Sequence, residues 1–286
     1  MSTPLPRPLP VSVWPTAQRT ARVQRAGRYL PTSVAHPGKM LPAIAATAIA
    51  AYTQPGDLVV DPMCGIGTTL VEAMHLGRDA IGVEYEPAWS ELAAANITLA
   101  RAQGAPGHGE VITGDARHLT GLLETAAVPG LVALVLTSPP YGPSVHGQVT
   151  ARPGAGVAKS NYRYSTDRAN LAHVGQQPLL EAMRQILTQA RRILRPGGIV
   201  AMTVRPYFHA GTLVDLPGAL TRTAQDAGLE LFERNVALLA ALAGDQLVPR
   251  SSFFALDQVR RARTRGIPRS VIAHEDLLVF RADDPR

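Results

Sequence analysis

A serine, two prolines and a tyrosine, Ser138-Pro139-Pro140-Tyr141, close the apolar run LVALVLTSPPY at residues 131–141. The run reads as a buried strand, and the turn that ends it carries chemistry. Proline has no N–H, so its carbonyl stands without a competing donor, and the serine hydroxyl adds a second acceptor. The tyrosine offers a flat face for stacking. Together these groups could hold and orient an N–H on a planar molecule. A second constellation follows DLVVDP in the stretch DPMCGIGTT (61–69), where Gly65 and Gly67 stand at a strand-to-helix turn. Glycine lets backbone approach a ligand with no Cβ in the way, and the helix start that follows presents free N–H groups. Asp61, Glu84 and Asp115 each end an apolar run. Three acids then share the carboxyl edge of the sheet, where open α/β folds bind ligands, and an acid at the distance of Glu84 can take ribose hydroxyls. GIGTTL lacks the third glycine of a dinucleotide fingerprint, and no G-K-[ST] phosphate loop occurs.

The elements that must position these residues alternate. Strands are predicted at 57–62, 79–86, 110–116, 131–140, 199–204 and 275–282, with LELFERNVALLAAL (229–242) completing a set of seven. Helices are predicted over 67–77, 87–104, near 117–127, over 177–194 and near 215–228, the helix at 177–194 carrying apolar residues at helical spacing. Residues 195–198, RPGG, read as the turn into the fifth strand. Such alternation predicts a Rossmann-like α/β sheet, mostly parallel, with right-handed crossovers and one antiparallel C-terminal strand. Residues 1–35 are rich in proline and arginine and form either a basic arm or an extension that wraps the domain at 36–286. The segments 142–176 and 243–273 are too long for plain connections, so they are expected to be functional loops or insertions.

The net charge of +6 suggests an anionic partner, with nucleic acid the commonest case. Lys39 and Lys159 are the only lysines, so the charge is almost all arginine, whose planar fork suits phosphates and base edges. In the segment 142–176, Lys159 and Arg163 are interleaved with tyrosines, a mixture that suits a loop closing on a nucleic-acid strand. DQVRRARTRGIPR (257–269) concentrates arginine in a short helix and turn, and Arg260, Arg261, Arg263 and Arg265 are candidates for phosphate or groove contact. Cys64 is the only cysteine, which excludes an intrachain disulfide and a cysteine-based zinc cage. It lies in the glycine turn and reads as a packing residue. His274-Glu275 has no second histidine at helical spacing, so no metal is expected. The N-terminus is a poor signal peptide and the longest apolar stretch, 41–52, is too short to span a bilayer. These features point to the cytosol and to no membrane partner.

With DPMCGIGTT, VEYE, GDA and TSPPY in that order, the chain resembles the class I S-adenosylmethionine-dependent amino-methyltransferases of DNA, and the serine in the last motif is most similar to the N4-cytosine branch. The resemblance runs from about residue 36 to 280, and HPGKMLP (36–42) resembles the family's additional cofactor motif. It implies S-adenosylmethionine as cofactor and DNA as partner, with a cognate restriction enzyme as a further partner that such families admit. Gly65, Gly67 and Thr68 would cradle the amino-acid end of the cofactor, with Asp61 below. Met63, where the family usually has phenylalanine, would form an apolar wall. Glu84 would hold the ribose, Tyr85 would lie near the adenine and Asp115 would accept from the adenine amino group. His36 and Lys39 would lie by the methionine carboxylate. Ser138, Pro139, Pro140 and Tyr141 would bind the exocyclic amino group of a base turned out of the duplex. Adenine N6, guanine N2 or another base position in RNA, and a non-catalytic nucleic-acid-binding role remain alternatives, and nothing in the sequence points to an oligomeric state.

Overall fold

Apolar runs and the glycines that end them set the element order. The computed structural model describes residues 9–124, 128, 130–141, 148–152, 156–160, 167, 170–251 and 253–282, with backbone alone at 148–152, 156–160 and 253–254. The first half holds β1 (Val13–Trp14), α1 (Ala21–Arg25), α2 (Pro42–Tyr52), β2 (Leu58–Asp61), α3 (Thr68–His75), β3 (Asp79–Glu84), α4 (Pro87–Ala102), β4 (Gly109–Thr113), α5 (Leu119–Glu124) and β5 (Val132–Thr137). After β6 (Gln148–Arg152) and β7 (Gly156–Ser160) come α6 (Gln176–Ile193), β8 (Leu194–Val204), β9 (Tyr207–His209), β10 (Thr212–Val214) and α7 (Leu216–Asp226). The chain continues through β11 (Leu229–Leu238), β12 (Ala240–Ala243), β13 (Gln246–Pro249), α8 (Phe253–Thr264) and β14 (His274–Ala282).

Helix starts follow local chemistry. Proline opens α2 and α4, where its missing N–H has no partner to lose. The Asp215 side chain caps α7 by accepting from the Gly218 amide. Eight strands form the main sheet in the order β1-β11-β14-β8-β5-β2-β3-β4. β14 runs antiparallel to β8 and β11, and the other described pairs in this sheet are parallel. The seven strands expected from the pattern are all present. The eighth is β1, where Val13 and Trp14 pair with Val236 and Ala237 on the edge strand, a segment too short to carry a periodic signal.

The RPGG stretch also departs from expectation. It is absorbed into β8 as an irregularity, since Val132 pairs with Leu194 but Leu134 pairs with Ile199, and Gly197 turns there at φ 73°. The sheet is buried on both faces. Leu179, Met183, Leu187 and Leu220 of α6 and α7 cover one side with Met202 and Phe280. Ile44, Ile49, Leu70, Met74 and Ile97 of α2, α3 and α4 cover the other with Leu134, Leu277 and Val279. Trp14 and Tyr29 belong to this second core, so the segment from Trp14 to Tyr29 packs on the domain. No helix among the described residues is long and apolar enough to cross a membrane.

Candidate functional site

Every parallel strand of the central sheet points its carboxyl end at one edge, and the predicted glycine turn, acids and Ser138–Tyr141 turn lie there. β2 ends at Asp61, whose carboxylate accepts from the Thr69 hydroxyl at 2.6 Å and the Met63 amide at 3.1 Å. Complete burial raises the Asp61 carboxyl to about 6 in spite of those donors. The chain then turns through Gly65 at φ 55° and Gly67 at φ 79° into α3. A Cβ on Gly65 would stand 2.9 Å from Nε2 of His36, so the imidazole fills the space that a side chain would take. Glu84, at the end of β3, closes the turn from the other side by accepting from the Gly65 amide at 2.8 Å and the Glu86 amide at 2.9 Å. Glu84 is only 4% exposed, and burial holds its carboxyl at about 7 against the lowering effect of those amides.

The flanking residues are held as firmly. His36 packs edge-on to Trp89 at 4.8 Å, and burial followed by the charges of Lys39 and Arg25 lowers it to about 3, leaving a neutral imidazole at pH 7. Lys39 donates to the carbonyls of Val34 and His36, and burial beside Arg25 brings its ammonium down to about 8. Asp115 follows β4 and accepts from the amide and guanidinium of Arg117, which hold it below the usual carboxylate range despite partial burial. Tyr85 donates to Asp167 at 2.7 Å. Met63 packs on the first core, and Cys64 is buried with its thiol pushed up, which fits a packing role.

A cavity of about 580 Å³ joins these residues to the Ser138–Tyr141 turn at the end of β5. Its wall includes Lys39, Met63, Glu84, Tyr85, Asp115 and Arg117 together with Tyr141, Arg205, Leu239, Arg250 and Glu275, and Ser138, Pro139 and Pro140 line it as well. A smaller cavity under the glycine turn touches Lys39, Asp61, Gly65, Thr68 and Ser138. The Tyr141 ring meets Tyr207 edge-on at 6.3 Å, and the Arg205 guanidinium lies over it at 5.7 Å. Glu275 accepts from the Thr203 hydroxyl at 2.5 Å. Among the described residues no cluster of three or more His, Cys, Asp or Glu could hold a metal ion.

Four positioning residues escape the pattern read from sequence. Arg25 donates to the Thr68 hydroxyl at 3.3 Å and to the Met40 carbonyl. Arg28 and the Tyr29 hydroxyl converge on Glu72 of α3, and Asn96 of α4 donates to the Ile66 carbonyl at 2.9 Å. They fix the glycine turn from segments far away in the chain. Arg205 and Glu275, directly beyond and at the start of buried strands, carried a usable signal as charges next to an apolar run. The arginines predicted in the later segment do not line this cavity. Arg260, Arg261, Arg263 and Arg265 are exposed on and just after α8, with Arg261 paired to Asp257 at 2.8 Å. Lys159 lies on β7, where only backbone is described, and Arg163 lies outside the described residues.

Sheet order, the reversed β14 and a ligand cavity at the carboxyl edge define a Rossmann-like fold of the methyltransferase type. The DNA methylase family model matches residues 8–95. Over 108 residues the chain is 34% identical to tRNA (guanine(10)-N2)-dimethyltransferase of Methanocaldococcus jannaschii, a match covering 37% of this chain and 30% of that protein. Over 54 residues it is 37% identical to the Type II methyltransferase M.MjaII of the same organism, covering 18% of this chain and 10% of that one. The chain therefore aligns with less than a third of either curated relative. Among solved structures, TrmN from Thermus thermophilus is similar in fold, with a TM-score of 0.52 at 19% identity over 91% of this chain and 53% of that one.

Proposed function

We infer that this chain transfers a methyl group from S-adenosylmethionine to an exocyclic amino group of a base in nucleic acid, with N4 of cytosine in DNA as its first substrate. The observation that carries the reading is that Glu84, Tyr85 and Asp115 line the same cavity as Ser138–Tyr141. The cofactor's chemistry fits the residues present. Glu84 has acceptor capacity for ribose hydroxyls, Met63 offers an apolar wall, and Lys39 and Arg25 place positive charge near the glycine turn for a carboxylate. When bound, the cofactor supplies an electrophilic methyl group on a sulfonium.

This chain's own residues act on the acceptor. The lone pair of an exocyclic amino group is delocalised into the ring, which makes it a poor nucleophile. Hydrogen bonds from its N–H to the Ser138 hydroxyl and a proline carbonyl orient it and favour a more tetrahedral nitrogen. The prolines keep those carbonyls rigid. Orientation of two reactants can supply roughly 7–11 kcal/mol of a barrier. Tyr141, with Arg205 beside it, provides the platform for a base taken out of a stack. The exposed arginines of α8 are the proposed phosphate contacts. Guanine N2 in RNA is the second reading, favoured by the match to a tRNA guanine-N2 enzyme. Ser138→Ala tests the assignment of roles. It is expected to bind S-adenosylmethionine like the parent protein in calorimetry and to lose methyl transfer at least a hundredfold. Undiminished transfer would remove Ser138 from the reaction.

A further inference from the structure

Leu242 and Leu247 stand opposite one another on the β12–β13 hairpin and are 50% and 52% exposed. Two large apolar side chains on one face of a hairpin have no structural gain from facing water, since burying such side chains is worth roughly 1.5–3 kcal/mol each. The hairpin is built to hold them out. Gly244 turns it at φ 61°, Ala240 and Ala241 are buried at its base, and its flanks are tied into the fold. The Arg250 amide donates to the Leu239 carbonyl at 2.8 Å, and the Leu239 amide donates to the Ala273 carbonyl at 2.8 Å.

Its base is also the rim of the site. Leu239 and Arg250, the residues flanking the hairpin, both line the main cavity that also holds the Ser138–Tyr141 turn. At about 3.3 Å per strand residue the leucine pair stands on the order of 10 Å from that rim. The surroundings match a polyanion, since Arg260, Arg263 and Arg265 are exposed on and just after α8, next in the chain.

We propose that Leu242 and Leu247 form an apolar wedge that enters the base stack of duplex DNA and holds open the gap left by the extruded base. Unstacking a step costs a few kcal/mol, and apolar side chains inserted between bases offset it. The proposal rests on the amino-methyltransferase reading above and adds the residues that let the site act on a duplex.

The test compares native and heat-denatured genomic DNA as acceptors for radiolabelled S-adenosylmethionine, using wild type, Leu242→Asn/Leu247→Asn and Leu242→Met/Leu247→Met. Both leucines are exposed, so melting temperature and cofactor affinity should match the wild type. The asparagine variant is expected to lose tenfold or more of its rate on native DNA while staying within twofold of wild type on denatured DNA. The methionine variant, which keeps apolar bulk, should retain the native-DNA rate. Equal losses on both acceptors, no loss on native DNA, or a wild type that labels only denatured DNA would overturn the wedge. A lower sedimentation coefficient with an unchanged ratio of the two rates would show instead that the leucines join two copies of this chain, and would also overturn it. A wild type that labels neither acceptor would overturn the wedge and contradict DNA as the substrate, leaving amino transfer to RNA as the reading.

Discussion

Glu84 carries the sharpest prediction at the residue scale. Its carboxyl titrates near 7 in the folded chain against an ordinary 4.5, because burial disfavours the charge. The folded state therefore holds this proton where the unfolded chain has released it. The stability the group contributes is full below pH 4.5 and is lost as pH rises through 7. Ligand binding runs the other way, since the ionised carboxylate is the better acceptor for ribose hydroxyls. Affinity for S-adenosylmethionine should rise as pH goes from 6 to 7, below the range in which Lys39 loses its charge, and Glu84→Gln should bind weakly and lose most of that rise. Calorimetry across that range checks both, and a wild-type profile in the variant would remove Glu84 from the cofactor site. Tyr141→Ala should abolish transfer and spare cofactor binding, while Tyr141→Phe, which keeps the ring, should retain most activity. Full activity in Tyr141→Ala would end the stacking argument. The acids and the Ser138–Tyr141 turn were legible because a strand end and its turn are local in sequence. Arg25 was not, because its partners Met40 and Thr68 lie 15 and 43 residues further on.

At the scale of elements, the glycine turn and the N-terminal segment support each other. Gly65→Ala places a Cβ against His36 in a backbone conformation that L residues rarely adopt, and should cost about 1–3 kcal/mol. Cofactor affinity should fall with it, as denaturant titration and calorimetry would show. Glu72 lies under the same turn, taking two bonds from Arg28 and one from the buried Tyr29 hydroxyl. Glu72→Ala leaves that hydroxyl only the Thr68 carbonyl at 3.4 Å and should lower stability by roughly 1–3 kcal/mol. An unchanged melting temperature would mean that the N-terminal segment is not anchored there. Helical and strand periodicity made the central βα units readable. The hairpins β9–β10 and β12–β13 were hidden, because strands of three or four residues carry too few alternations to stand out from an insertion. β1 was hidden for the same reason.

At the scale of the whole molecule, charge and cavity are arranged on a common logic. A chain of net charge +6 gathers exposed arginines on and just after α8 and places a cavity holding three carboxylates, Glu84, Asp115 and Glu275, at the carboxyl edge of the sheet. Replacing Arg260, Arg261, Arg263 and Arg265 by alanine should weaken DNA binding and flatten its dependence on salt, by about 0.9 in the logarithmic slope for each phosphate that is no longer neutralised. Anisotropy titrations at several salt concentrations would measure this, and an unchanged slope would move the DNA to another face. The basic balance was plain in the composition, but the face that carries it depends on how the chain between β11 and β14 is placed, of which Arg250 and Ser251 line the cavity. The central claim is that donor and acceptor sites share one cavity, with an amino group as acceptor. Incubating the protein with radiolabelled S-adenosylmethionine and separate DNA and RNA pools, then identifying the labelled nucleoside by mass spectrometry, tests it most directly. N4-methylcytosine in DNA is the predicted product. Label on a ring carbon, or in neither nucleic acid, would contradict the account.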